Sequence, residues 1–86
     1  FIELENVQIE LIQPLGGESS WQSFLDEHGE GVHHLGFWTD DMTSHRIELE
    51  AQGYPMFHRG DFEGGEFAYH DSEKSFGTLI ELLGKR

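Results

Sequence analysis

The segment Val32-His33-His34-Leu35-Gly36-Phe37-Trp38-Thr39, followed by Asp40-Asp41, decides how this chain is read. Its length and its β-branched and aromatic content predict a buried strand, and Gly29 and Gly31 stop the helix expected before it. Strand alternation places His33, Leu35 and Phe37 on one side and His34, Gly36 and Trp38 on the other, so the two adjacent histidines are expected to face opposite ways. Asp40-Asp41 supplies a helix N-cap and first-turn negative charge, and residues 42–52 read as a helix stopped by Gly53. The apolar face of that helix is imperfect, because His45 and Arg46 sit between Met42 and Leu49 while Ile47 points elsewhere.

After Pro55, residues 56–59 and 66–71 are strand candidates joined through a turn-prone stretch containing Gly60, Asp61, Gly64 and Gly65. In the second of them Phe67 and Tyr69 face one way, and Glu66, Ala68 and His70 the other. A turn around residues 72–77 leads into a strand over 78–83, with Ile80 and Leu82 on one face and Leu79, Glu81 and Leu83 on the opposite one. The order strand, helix, strand, strand, strand is a βαβββ module that covers one face of its sheet with the helix and leaves the other concave.

Upstream, residues 1–4 and 7–12 read as a hairpin turning at Glu5-Asn6, with Val7, Ile9 and Leu11 on one face and Gln8, Glu10 and Ile12 on the other. Pro14 and Gly16-Gly17 end that strand, and Ser19 or Ser20 caps a connector helix whose apolar stripe is Trp21, Phe24 and Leu25. The fold class is thus α+β, with residues 1–29 forming the hairpin and connector helix and residues 30–86 the βαβββ module.

Composition narrows the function. With 17 acidic residues against 5 basic ones the formal charge is −12, a field that repels phosphate backbones and anionic lipid, so neither nucleic acid nor a membrane is an expected partner. A bound metal ion is the more natural source of positive charge for an anionic ligand. The absence of cysteine excludes disulfides and thiolate sites and is compatible with a reducing cytoplasm, the expected location. No apolar run reaches the length of a membrane span, and Phe1-Ile2-Glu3-Leu4 looks like the middle of a strand.

Three strand positions carry the chemistry: Glu10, His34 and Glu81. A buried, unpaired carboxylate costs several kcal/mol, roughly, so Glu10 and Glu81 are either solvent-facing or neutralised by a cation. On periodicity alone both readings stand, and His34 reads equally as a hydrogen-bonded strand histidine. His33 is the weaker candidate because Leu35 and Phe37 share its face, and His28, His45 and His58 have no ligand-like spacing. Trp38, Ala68 and His70 are expected to line the concave face and contact a small molecule.

Read in order, Ile9-Glu10-Leu11-Ile12-Gln13-Pro14-Leu15-Gly16, Gly31-Val32-His33-His34-Leu35-Gly36-Phe37 with Asp40-Asp41, and Leu79-Ile80-Glu81-Leu82 resemble the vicinal oxygen chelate superfamily, especially its glyoxalase and methylmalonyl-CoA epimerase-like members. The resemblance implies two βαβββ modules facing each other around a divalent metal, held by a His on the first strand and a Glu or Gln on the last strand of each. Carried over by position, Glu10 is similar to the last-strand ligand of a first module, and His34 and Glu81 to the two ligands of the second. The opening strand, helix and second strand of the first module have no counterpart in this sequence. A longer chain or a second copy, as in a homodimer, is the expected source of the other half.

What the resemblance implies is a metal-dependent lyase or isomerase that abstracts a proton next to a carbonyl of a small-molecule substrate, with Glu81 as ligand and, on detaching, as base. The mixed imidazole and carboxylate donors suit Ni, Co, Mn, Zn or Fe(II). Two alternatives share the fold. One is a non-catalytic binding protein of the antibiotic-resistance type, and the other is a ring-cleaving dioxygenase, against which Glu10 as a ligand argues.

Overall fold

The structure is a computed structural model that describes residues 1–85. Contacts divide the chain into two compact units, Phe1–Gly31 and the segment from Val32 onward. In the first unit, β1 (Ile2–Glu3) and β2 (Gln8–Ile9) pair antiparallel, with Ile2 opposite Ile9 and Glu3 opposite Gln8. The Leu4 N–H donates to the Val7 carbonyl at 2.8 Å and closes the turn at Glu5-Asn6. Both strands are shorter than expected. Val7, Ile9 and Leu11 are exposed.

The connector helix α1 (Ser20–His28) begins where Ser19 Oγ accepts the Gln22 N–H at 3.0 Å. It ends at Gly29, whose φ of 75° suits glycine and whose N–H reaches the Leu25 carbonyl.

The second unit contains β3 (His34–Thr39), α2 (Met42–Ala51), β4 (Met56–Phe62), β5 (Gly65–His70), α3 (Glu73–Phe76) and β6 (Leu79–Lys85). The sheet order is β3-β6-β5-β4, with β3 parallel to β6 and the other pairs antiparallel. This is the βαβββ architecture the sequence predicts. Its core sits on the two central strands, where Ala68, Tyr69, Leu79 and Leu82 are buried.

Helix α2 starts at Asp41, whose Oδ1 accepts the Ser44 N–H at 3.2 Å. Its inward stripe is Met42, Arg46 and Leu49, half-buried, while Ile47 is exposed. Strand β4 runs through Gly60-Asp61, which the sequence assigns to a turn. A Cβ at Gly60 would lie 2.6 Å from the Phe67 ring, so glycine there gives the ring its place and keeps the strand paired. The turn falls instead at Glu63-Gly64, where Gly64 has a φ of 85°.

The return to β6 is fixed by a buried hydroxyl. Ser72 Oγ donates to the Thr78 carbonyl and accepts the Ile80 N–H, both at 2.9 Å. Among the described residues no helix is long and apolar enough to cross a membrane.

Candidate functional site

Register fixes which side chains share a face. On the face away from α2, His34, Gly36 and Trp38 of β3 lie beside Leu79, Glu81 and Leu83 of β6. Next come Phe67 and Tyr69 of β5, and then His58 and Gly60 of β4. His34 and Glu81 meet there, with Nε2 of His34 3.2 Å from Oε1 of Glu81. Their side chains keep only 12% and 11% of their exposure, so each supplies much of what the other has lost in solvent. Gly36 sits directly opposite Glu81, and a Cβ on it would come within 3.1 Å of Oε1.

The separation suits a cation. Neighbouring ligands of a six-coordinate divalent ion with bonds of about 2.1 Å stand about 3 Å apart, as this nitrogen and oxygen do. The pair therefore fits as two adjacent donors of a mixed nitrogen and oxygen site. Among the described residues no group of three His, Asp or Glu side chains converges to hold an ion. Glu10, the third ligand expected, is an exposed residue of the first compact unit and follows β2 directly.

Aromatic rings frame the pair. Tyr69, buried, sets its ring perpendicular to that of His34 with centroids 5.0 Å apart, and His58 stacks on Tyr69 at 5.7 Å. Trp38 shares the face but lies at its rim, exposed, edge-on to Phe62 and with the Lys85 ammonium 5.7 Å from its ring centroid.

The geometry corrects two expectations. Ala68 and His70 do not share the face of Glu81. In the β5–β6 ladder Tyr69 stands opposite Glu81, which turns Ala68 and His70 to the α2 side with Leu82 and Ile80. His70 is wholly buried there and hydrogen-bonds the Tyr54 carbonyl through Nδ1 at 2.7 Å. Nor do His33 and His34 diverge. The strand begins only at His34, so His33 escapes the alternation and its Nδ1 lies 2.8 Å from that of His34.

Sequence reasoning passed over Tyr69, His58 and Gly36. The alternation of β5 is plain in the sequence, but the register that aligns Tyr69 with Glu81 is not. An open groove of about 450 Å³ on the α2 side, lined by Phe37, Leu49, Tyr54, Phe76, Ile80 and Leu82 among others, is separate from this site.

A fold with these strands, carrying a His on its first strand beside a Glu on its last, defines a class. Residues 1–70 match the model of the Glyoxalase/Bleomycin resistance protein/Dioxygenase superfamily, and the chain belongs to that superfamily. It is 34% identical over 87 residues to the ethylmalonyl-CoA/methylmalonyl-CoA epimerase of Cereibacter sphaeroides, an alignment covering 95% of this chain and 65% of that protein.

Two solved structures are similar. A hypothetical protein from Bacillus halodurans C-125 superposes with a TM-score of 0.78 at 26% identity, over 98% of this chain and 63% of its own. A methylmalonyl-CoA epimerase in complex with methylmalonyl-CoA and NH4+ gives a TM-score of 0.70 at 25% identity, over 85% of this chain and 53% of its own. The chain thus spans less than two thirds of the length of each of these relatives.

Proposed function

We propose that this chain contributes one half of a divalent-metal site in a two-module lyase or isomerase. The intact protein would abstract a proton next to the carbonyl of a small molecule, most closely in the manner of an acyl-CoA epimerase. The observation that carries this reading is the His34 Nε2 to Glu81 Oε1 separation of 3.2 Å on the sheet face away from α2. Similarity to proteins named as methylmalonyl-CoA epimerases supports the choice of substrate class. A divalent ion bound there would polarise the substrate carbonyl and offset the negative charge that develops as the neighbouring C–H is broken.

The chain's own residues divide the remaining work. His34 and Glu81 would hold the ion as adjacent imidazole and carboxylate donors, and Tyr69, edge-on to the His34 ring, would limit its rotation. Glu81 would also be the carboxylate that takes the proton. Trp38, at the rim, offers an apolar contact to the substrate. The partner module or a second copy would supply the remaining ligands. Ala68 and His70 have no part in this reading, since both face the α2 side of the sheet.

The test is isotope exchange in the intact protein. Incubated with methylmalonyl-CoA in deuterated water, it should wash deuterium into the carbon between the two carbonyls. Exchange should stop on adding chelator and return with a divalent ion. Exchange that proceeds unchanged in chelator would remove the metal, and no exchange under any metal would remove proton abstraction from this substrate class.

A further inference from the structure

We propose that His33 is a positioning residue for His34, sharing a proton between the two Nδ1 atoms and so deciding which nitrogen of His34 is open to a cation. The proposal rests on the metal reading for its purpose, but the proton arrangement itself needs no metal.

A neutral imidazole carries one N–H and one bare nitrogen. The Nδ1 atoms of His33 and His34 are 2.8 Å apart, a distance at which two lone pairs repel and one proton between them bonds. The other nitrogen of His34 faces the Glu81 carboxylate at 3.2 Å, an acceptor that favours a proton on Nε2. His34 then has a bare Nδ1, and His33 must be the ring that donates from Nδ1.

A cation on Nε2 of His34 reverses this, because a metal-bound nitrogen cannot keep its proton. The proton of His34 then belongs on Nδ1, and His33 becomes the acceptor. Both arrangements make the same hydrogen bond and carry the same total charge, each ring exchanging one tautomer for the other.

Packing holds the rings in place for this. Tyr69 meets the His34 ring at 89° and the His33 ring at 75°, with centroids 5.0 and 6.0 Å away. Had the strand begun one residue earlier, alternation would have turned His33 to the opposite face. The sequence pair His33-His34 is thus a ligand and its orienting partner, and not two candidate ligands.

Imidazole nitrogen spectra of the intact, metal-free protein, labelled with nitrogen-15, test this directly. His33 should be protonated on Nδ1 and His34 on Nε2; finding both rings protonated on Nε2 would overturn the proposal. Titration with Zn(II) alone should exchange the two patterns. His33→Ala should weaken Zn(II) binding by about 10- to 100-fold, and His33→Asn, whose amide offers a donor or an acceptor at the same place, should recover most of it.

Zn(II) bound by His33→Ala as tightly as by the wild type would also overturn it. A wild-type protein that binds no Zn(II) would defeat the metal reading instead, and the metal-free spectra alone would then decide the role of His33.

Discussion

Gly36 and Glu81 stand directly opposite each other across the parallel β3–β6 pair, so close that a methyl group on Gly36 would come within 3.1 Å of the Glu81 carboxylate. The carboxylate that faces His34 has its place because a glycine leaves that place open. The same methyl would meet the Leu83 side chain at 3.2 Å.

Gly36→Ala should therefore separate stability from function. The neighbours to be displaced are flexible side-chain ends, and alanine restricts the unfolded chain, so the unfolding free energy should change by less than ~1 kcal/mol. Divalent-ion affinity should fall about tenfold or more as Glu81 is pushed from its position beside His34. Chemical denaturation and metal titration of the intact protein measure the two quantities independently.

Gly60→Ala should behave in the opposite way. The neighbour there is the Phe67 ring, 2.6 Å from the position of the new Cβ, and a rigid ring yields only by moving the strand. A loss of about 1–3 kcal/mol is expected, and most of it should be recovered when the same change is made together with Phe67→Leu. A double-mutant cycle by thermal or denaturant unfolding gives the coupling.

His70→Leu should destabilise without touching the site. His70 is wholly buried on the α2 side, and its loss leaves the Tyr54 carbonyl without its partner, at a cost of about 1–3 kcal/mol. Metal affinity, measured at a temperature where the variant is folded, should stay within about twofold of the wild type, since additivity holds for residues that share no contacts. A large loss of metal affinity would return His70 to the site face where the sequence first placed it.

Much of this fold is legible in the sequence because local signals agree with it. Asp40-Asp41 before residues 42–52, Gly53 after them, and the β-rich runs on either side specify a strand, a capped helix and a return to the sheet. The pairing of His34 with Glu81 is legible only through resemblance, since 46 residues of intervening chain carry no spacing rule that joins them. The errors share one physical origin. Alternation tells which residues of β5 go together but not to which side, and the β5–β6 register makes that choice by setting Tyr69, and not His70, across from Glu81. At His33 the failure lies in where the strand starts, which is decided by pairing with β6 and not by local propensity.

Acid should weaken the start of α2 in a characteristic way. Hydrogen bonds from the Ser44 hydroxyl and backbone N–H hold the Asp41 carboxyl below its usual value of 3.8. A carboxyl depressed on folding contributes stability that is fully present above its unfolded value and is lost as pH falls through the lower folded one. Asp41→Asn keeps a capping oxygen at every pH. The stability difference between wild type and Asp41→Asn should thus be steady from neutral pH down to about 5 and shift against the wild type below about 4, as denaturant unfolding across that range would show.

The most direct test counts the divalent ion retained by the intact protein after equilibrium dialysis, for the wild type, His34→Ala and Glu81→Ala, each verified as folded. Retention by the wild type and its loss in both variants is the result this account predicts. Equal ion content in all three proteins would contradict it, because His34 and Glu81 would then hold nothing together beyond each other.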